Sequence, residues 1–327
     1  MPDEKEKIYR QIYNALNNFE KILIVSHVRP DGDALGSILS SYRFLKLKGK
    51  FVKLHINDNL PDDFKFLPYF DKVESDYRPL LAEKFDVIAV LDCGDFSRSN
   101  LDVFLEKISY KPYLINIDHH ATNDNFGDCN LVDLEASSTS EVIYDFLKYF
   151  KIKIDRKMAL ALLTGILTDT DVFVNPNTTE KTLRIASELI KIGAKVDIIL
   201  KHLHKGRSIK SLKLWGKALA RLHLNASNQL ATTAIFQDDL EDLNVSDDEL
   251  SGLANFLNSL DGVRGVMILK EDDFGMIKGS LRTTKDDVDV SEIAKQYGGG
   301  GHSKAAGFKI RGRLVRGESG AWKVEQI

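Results

Sequence analysis

One imidazole and two carboxylates lie close together near the start of the chain. His27, Asp31 and Asp33 fall within SHVRPDGDALGS, residues 26–37, which comes after the apolar segment KILIV. Titratable groups are costly to bury, so an apolar, strand-like segment that ends in three of them needs something to compensate their charge. The spacing therefore predicts that something compensates the charge of these side chains at the end of a buried strand.

Later apolar segments end in the same types of residue. In an open α/β sheet, ligands bind beyond the carboxyl ends of the strands, so the residues that follow each apolar segment are candidates for chemistry. Those residues are Asp92, then Asp118, His119 and His120, and finally Asp169 at the end of the helical pattern TGILTDT. An Asp after one strand is common in such folds, so it is the joint occurrence of the set that indicates a site.

The combined charge of this set predicts metal ions. Five carboxylates and three imidazoles would converge, and without a nearby Lys or Arg they would repel one another and shift to neutral forms. Divalent cations remove that repulsion. Oxygen and imidazole ligands without sulfur favour Mn²⁺ or Mg²⁺, with Zn²⁺ and Fe²⁺ left open, and an aspartate between two ions can bridge them. We therefore expect a centre for two divalent metal ions, with Mn²⁺ as the first choice.

The elements that must position these residues can be predicted from the apolar pattern. Residues 21–27, 51–56, 86–92 and 113–120 form short, continuously apolar segments, which are typical of strands buried on both faces of a parallel sheet. Helical patterns lie between them, for example at residues 34–49. This alternation predicts an α/β fold with a doubly wound parallel sheet, in which the strand ends share one edge.

A second, smaller α/β pattern occupies the end of the chain and closes with GGGGHSKAAGFKI, residues 298–310. The chain has 327 residues, which is more than a single core usually supports. We predict a first domain at residues 1–187, a helical linker at 188–224 and a second domain at 225–327.

Composition limits the classes of function. No apolar segment approaches the roughly 20 residues of a membrane-spanning helix, and a formal charge of -3 argues against a protein that coats long nucleic acid. The two cysteines form no CxxC pair, so neither a disulfide framework nor a thiolate metal site is predicted. The first residues lack the pattern of a signal peptide, so we expect a cytoplasmic protein with no membrane partner. A monomer and a homodimer both stay open.

Taken in order, the motifs resemble those of the DHH phosphoesterase superfamily, in its stand-alone DHH–DHHA1 form of the nanoRNase and pAp phosphatase type. The matching segments are HVRPDGDALGS, LDCGD, NIDHHATND, STSE, TGILTDT and GGGGHSKAAG. The resemblance covers nearly the whole chain. It implies an N-terminal DHH domain, a DHHA1 nucleotide-binding domain, and an active site in the cleft between them.

The resemblance also implies roles for the acidic and histidine residues. Two sets of metal ligands would share a bridging Asp92. The first set adds His27 and Asp31, and the second adds Asp33, His119 and Asp169. The catalytic residues would be His120, which faces the scissile phosphate, and Asp118, which orients the histidines.

In the second domain, the resemblance implies contacts to the nucleotide end remote from the cleaved bond. These substrate-binding residues would be Arg282, Ser280, Gly299, Gly300, Gly301 and His302. Glycines let the backbone approach a phosphate or sugar closely, and an arginine fork suits bidentate contact. From the residues alone, the glycines would equally be an ordinary turn and Arg282 an ordinary strand-end charge.

The implied function is a metal-dependent phosphodiesterase that hydrolyses short oligonucleotides or linear dinucleotides such as pApA to mononucleotides, with pAp as a further substrate. A cyclic-di-AMP phosphodiesterase and a non-catalytic nucleotide-binding module are the alternatives. The GGGGH segment argues against a family II pyrophosphatase, and the modest length and negative charge argue against a RecJ-like exonuclease on long strands. One departure is Asp171-Val172, which stands where many relatives have Gly-Arg, so substrate preference does not carry over from them.

Overall fold

The computed structural model describes residues 4–203, 208–250, 252–272, 275–285, 287–317 and 322–325. The chain divides into two compact units, Met1–Lys205 and Gly206–Ile327. Among the helices formed by the described residues, none combines the length and the apolar character needed to cross a bilayer.

The first unit is built on a six-stranded parallel sheet. Its strands are β1 (Lys21–Val25), β2 (Phe51–His55), β3 (Val73–Glu74), β4 (Val87–Leu91), β5 (Tyr113–Asp118) and β6 (Cys129–Val132). They lie in the order β3-β2-β1-β4-β5-β6, and every neighbouring pair is parallel. The predicted doubly wound parallel sheet is confirmed.

Helices cover the sheet and connect its strands. They are α1 (Glu4–Asn18), α2 (Gly32–Leu47), α3 (Asp102–Leu105), α4 (Thr139–Tyr149), α5 (Arg156–Asp169), α6 (Glu180–Ile192) and α7 (Val196–Leu203). On β1, Ile22 and Ile24 pack into one hydrophobic cluster, whereas Leu23 and Val25 pack into another. Both faces of the sheet are therefore buried, which explains why the central strands are continuously apolar.

The strand order reverses at the centre of this sheet. From β1 the chain runs outward to β2 and β3, and it then returns to the centre to form β4 before continuing outward to β5 and β6 on the other side. The carboxyl ends of β1 and β4 therefore border the crevice in which doubly wound folds bind their ligands.

The second unit contains a mixed sheet and a small antiparallel pair. The mixed sheet has the order β11-β12-β10-β9-β8-β7, from β7 (His223–Asn225), β8 (Leu230–Ile235), β9 (Gly265–Glu271), β10 (Met276–Arg282), β11 (Gly300–His302) and β12 (Ala305–Arg311). The pair is β13 (Arg313–Arg316) and β14 (Trp322–Glu325), and the helices are α8 (Ile209–Ala220), α9 (Gln237–Leu243), α10 (Leu253–Asn258) and α11 (Val290–Gln296).

Two features differ from the sequence pattern. The proposed linker at 188–224 begins inside α6 and ends inside β7, and the domain boundaries stay predictions. The glycine segment is an edge strand in part, because Gly300–His302 pairs antiparallel with β12 instead of forming an open loop.

Candidate metal centre

The segment after β1 is shaped by its own hydrogen bonds. Asp31 is the N-cap of α2, and its carboxylate accepts hydrogen bonds from the backbone N–H groups of Asp33 and Ala34 at 3.0 Å each. His27 is 4% exposed, and its Nδ1 lies 2.8 Å from the carbonyl oxygen of Val28. That contact leaves Nε2 of His27 as the atom that faces the rest of the site.

Asp92 lies at the end of β4 in a strained conformation. Its φ is 57°, in the left-handed region that non-glycine residues rarely adopt, and its side chain is 2% exposed. Its Oδ2 lies 3.5 Å from His27 Nε2, whereas its Oδ1 lies 3.9 Å from His119 Nε2. Oδ1 also lies 3.7 Å from His120 Nδ1. One carboxylate oxygen thus faces His27 and the other faces the His119–His120 pair, an arrangement that a bridging ligand could use.

Three consecutive residues at the end of β5 have different environments. Asp118 is fully buried, and its Oδ1 accepts the backbone N–H of His119 and lies 2.8 Å from His120 Nδ1. Its other oxygen accepts a hydrogen bond from Asn123 Nδ2 at 2.6 Å. Both Asp118 oxygens therefore accept hydrogen bonds from protein donors. The carboxylate holds the ring of His120 through Nδ1, and within the described residues Nε2 of that ring forms no hydrogen bond.

Asp33 lies where α2, α4 and α5 meet. Its Oδ2 and Oδ1 accept the backbone N–H groups of Thr139 and Ser140 at 2.6 and 2.8 Å. Gly165 on α5 leaves the necessary room, because a Cβ at that position would lie 2.5 Å from Asp33 Oδ1. The glycine in TGILTDT is thus explained by close packing against the site.

The pKa shifts in the cluster show how strongly its buried charged groups interact. Burial, followed by the charges of Asp92 and Asp169, raises the pKa of Asp33 well above its usual value. Burial also raises the pKa of Asp169 to about 6, although His119 opposes the shift. Burial would lower the pKa of His119, but the carboxylates of Asp169 and Asp33 outweigh it and raise that pKa. The carboxylates would therefore be stabilised by added cations.

The donor atoms fit such cations. Three groups of side chains bring their ligand atoms within 4.8 Å of one another: His27, Asp31 and Asp92; Asp33, His119 and Asp169; and Asp92, Asp118, His119 and His120. Nε2 of His119 is buried without a hydrogen-bond partner among the described residues, although Asp169 Oδ2 lies only 3.0 Å away. A buried imidazole nitrogen without a hydrogen-bond partner, surrounded by carboxylates, fits the role of a metal ligand.

All eight residues predicted for the first domain thus meet at one edge of the sheet. The group of His27, Asp31 and Asp92 is the same as the first expected ligand set. The group of Asp33, His119 and Asp169 contains the second expected set without Asp92, which instead forms a group with Asp118, His119 and His120. Sequence reasoning missed Asn123 and the roles of Thr139 and Ser140. The last two lie in STSE, whose Ser-x-x-Glu spacing is a helix-start pattern, and amides at a helix start are free to bind carboxylates.

The register of the second sheet aligns four of the residues predicted to bind nucleotide. Arg282 on β10 pairs with Ala305 on β12, which pairs with His302 on β11. Ser280 pairs with Gly307, which pairs with Gly300. Paired residues in antiparallel strands project to the same face, so these side chains share a face on which the residues between them are small.

The predicted glycines have unlike environments. A Cβ on Gly299 would lie 2.2 Å from the carbonyl oxygen of Gly307, and a Cβ on Gly301 would lie 2.5 Å from that of Ala305. Gly301 also has a φ of 142°. Backbone packing alone therefore explains these two glycines. Of these three glycines, only Gly300 has open space where a side chain would be. Packing therefore does not require a glycine there, whereas a bound ligand could.

The departure at Asp171-Val172 follows directly after α5. Asp171, Val172 and Phe173 all have positive φ, at 45°, 57° and 69°. Val172 and Phe173 pack against the hydrophobic core of the first unit. This turn follows Asp169 closely in the chain, and none of Asp171, Val172 and Phe173 carries a positive charge.

Comparisons with known proteins agree with the fold. Residues 21–166 match the model of the DHH family, N-terminal domain, and residues 227–318 match that of the DHHA1 domain. The chain therefore belongs to the DHH family, in the form that also carries a DHHA1 domain, and the resemblance inferred from its motifs is confirmed.

Its relatives are similar over most of their length. The chain is 31% identical to the bifunctional oligoribonuclease and PAP phosphatase NrnA of Thermus thermophilus, over 94% of this chain and 89% of that protein. It is 30% identical to the protein of the same name from Bacillus subtilis, over 92% of each. The crystal structure of an exopolyphosphatase-related protein from Bacteroides fragilis has a TM-score of 0.83 and 28% identity, and the match covers 93% of this chain and 91% of that one.

Proposed function

We propose that this protein is a metal-dependent phosphodiesterase that hydrolyses linear dinucleotides such as pApA and short oligoribonucleotides to mononucleotides, and that it also converts pAp to AMP. The observation that carries the proposal is the buried cluster around Asp92, whose two oxygens face His27 and His119. The names of the relatives, which act on oligoribonucleotides and PAP, support this substrate class. Short RNA fragments arise in the cytoplasm, so we also propose that the protein acts there.

In this proposal the ligands of the first ion are His27, Asp31 and Asp92, and those of the second are Asp33, His119 and Asp169 with Asp92 as the bridge. The all-oxygen-and-nitrogen donor set favours Mn²⁺, with Mg²⁺ as the second choice. Bound divalent ions would lower the pKa of the attacking water and neutralise charge on the phosphoryl oxygens.

His120 is the proposed general acid. The carboxylate of Asp118, whose hydrogen bond outweighs burial, raises the pKa of His120. A protonated ring with Nδ1 engaged by Asp118 keeps a proton on Nε2. When water attacks phosphorus, the bond to the 3′ oxygen breaks, and Nε2 gives its proton to that leaving oxygen. Hydrolysis of pApA in this way releases two molecules of AMP.

The second unit would hold the part of the nucleotide that does not react. Arg282, Ser280 and His302 share one face of the sheet, and Gly300 leaves that face open. Within the described residues, the guanidinium of Arg282 donates to the carbonyl of Leu281 and forms no ion pair, so further N–H groups can bind a phosphate.

A comparison of substrates tests the proposal. Initial rates are measured with Mn²⁺ on pApA, a short oligoribonucleotide, a long single-stranded RNA, pAp and cyclic-di-AMP. We expect the highest kcat/KM on pApA or the short oligoribonucleotide, turnover of pAp, and slow cleavage of the other two. Preference for cyclic-di-AMP would replace this function with the cyclic-dinucleotide alternative. Nucleotide binding without turnover of any substrate would identify a non-catalytic binding module.

A further inference from the structure

The N-terminus of α4 contacts one aspartate from each ligand group. The backbone N–H of Thr139 donates to Asp33 Oδ2 at 2.6 Å, and that of Ser140 donates to Asp33 Oδ1 at 2.8 Å. The hydroxyl of Thr139 donates to Asp92 Oδ1 at 3.0 Å. Thr139 therefore contacts both Asp33, which is grouped with His119 and Asp169, and Asp92, which is grouped with His27 and Asp31.

The hydroxyl of Thr139 is fully committed to this contact. Thr139 is completely buried, as is Ser138, whose side chain caps α4 by accepting the backbone N–H of Glu141. A buried hydroxyl has no water to bond with, so it keeps its protein acceptor. The capped helix start therefore holds the hydroxyl in a fixed place relative to Asp92.

We propose that Thr139 is a positioning residue that orients the carboxylate of Asp92 and thereby couples the two metal sites, an inference that rests on the proposed two-metal function. Rotation of the carboxylate about its Cβ–Cγ bond would turn the plane in which its two oxygens lie. The hydrogen bond from Thr139 fixes that plane, with one oxygen on the side of His119 and the other on the side of His27.

The consequence of losing the hydroxyl falls on one ion more than on the other. Asp92 Oδ1, which accepts from Thr139, is the oxygen closer to His119, and His119 belongs to the group with Asp33 and Asp169. Asp92 Oδ2 faces His27, and the hydrogen bond of the Thr139 hydroxyl goes to the other oxygen. The ion at the His119 group should therefore bind more weakly, whereas the ion at the His27 group should be retained.

The test compares Thr139→Val with Thr139→Ser. Valine has the shape of threonine without the hydroxyl, and serine keeps the hydroxyl without the methyl group. Calorimetric titration of the metal-free protein with Mn²⁺ should give two ions for the wild type. For Thr139→Val we expect one ion to bind as in the wild type and the other to bind about 10- to 100-fold more weakly, as for other residues that orient metal ligands. Thr139→Ser should restore the second ion.

A spectroscopic measurement and a matched control accompany the titration. The electron paramagnetic resonance spectrum distinguishes a coupled Mn²⁺ pair from single ions, so Thr139→Val should shift the signal toward the single-ion form. Thr164→Val is the control, because Thr164 is also buried and, within the described part of the chain, its hydroxyl donates to the carbonyl of Leu160 in its own helix, α5. It should leave both ions bound.

Two results would overturn the proposal: wild-type affinity for both ions in Thr139→Val, or a loss in Thr139→Ser as large as that in Thr139→Val. An equal loss in Thr139→Ser would show that the weaker metal binding comes from the loss of the methyl group and not of the hydroxyl. If Thr139→Val lacks the wild-type circular dichroism spectrum, Thr139→Ala is titrated in its place with the same expectations. A wild type that binds no Mn²⁺ would overturn the two-metal function itself, and the wild-type titration alone shows that outcome.

Discussion

At the scale of single residues, side chains of the same type within the cluster differ in their hydrogen-bond partners. Asp118 has both oxygens occupied by protein donors, whereas Asp92 directs its oxygens toward two histidines. Nε2 of His119 has no hydrogen-bond partner among the residues that the structure describes, whereas His120 is held by Asp118 and its side chain is 38% exposed. On these differences we base the proposed separation between residues that hold metal and residues that act on the substrate.

Two substitutions test this separation. Asp92→Asn keeps the shape but removes the charge that both ligand groups need, so we expect it to lose bound metal together with activity. In His120→Asn the amide can replace Nδ1–H in its bond to Asp118 and lacks the atom equivalent to Nε2. We expect it to keep both ions and to lose about 10²- to 10⁴-fold in kcat, the contribution of a general acid.

Elemental analysis and initial rates on pApA check both variants. Unchanged metal content in Asp92→Asn would remove Asp92 from the ligands. Loss of metal from His120→Asn would place His120 among them.

At the scale of elements, two sheets carry the two groups of functional residues. In the first unit, the reversal of strand order between β1 and β4 brings together the residues that follow these strands. In the second unit, the pairing of β10, β12 and β11 aligns Arg282 with His302 and Ser280 with Gly300. We propose that the first arrangement supplies the chemistry and the second a surface for binding.

Arg282→Ala tests the binding surface. A contact that is made equally in the ground and transition states should affect KM more than kcat. One charged hydrogen bond is worth about 1.5–3 kcal/mol, so we expect roughly a tenfold to hundredfold loss in kcat/KM on pApA. On bis(p-nitrophenyl) phosphate, which has no distal nucleotide, the loss should vanish.

Lys278→Ala is the matched control, because Lys278 lies on the same face of β10 but about 14 Å further along the strand. It should leave both substrates unaffected. An equal loss on both substrates in Arg282→Ala would assign Arg282 to the chemistry or to folding.

The sequence predicted the parallel sheet because a strand buried on both faces must be apolar throughout, as in KILIV. It also predicted which residues meet, because parallel strands end at one edge. It could not predict that the oxygens of Asp92 face different histidines, since this depends on a φ of 57° and a hydrogen bond from Thr139, forty-seven positions away. Nor could it separate Gly300 from Gly299, because the difference depends on how closely β12 approaches each.

At the scale of the whole molecule, charge and composition suit a small anionic substrate. The chain carries a formal charge of -3, so long polyanions gain little from its surface as a whole. The attraction must come from bound cations in the first unit and from local cations such as Arg282 in the second. The proposed function therefore depends on the metal centre more than on any other feature of the molecule.

The most direct test of that centre is the release of AMP from pApA before and after removal of metal. The protein is treated exhaustively with a chelator, assayed, and assayed again after titration with Mn²⁺, with the number of bound ions measured in parallel. The account predicts that chelation abolishes AMP release and that activity returns as the second ion binds. Full activity in the metal-free protein, or full recovery with a single ion, would contradict it.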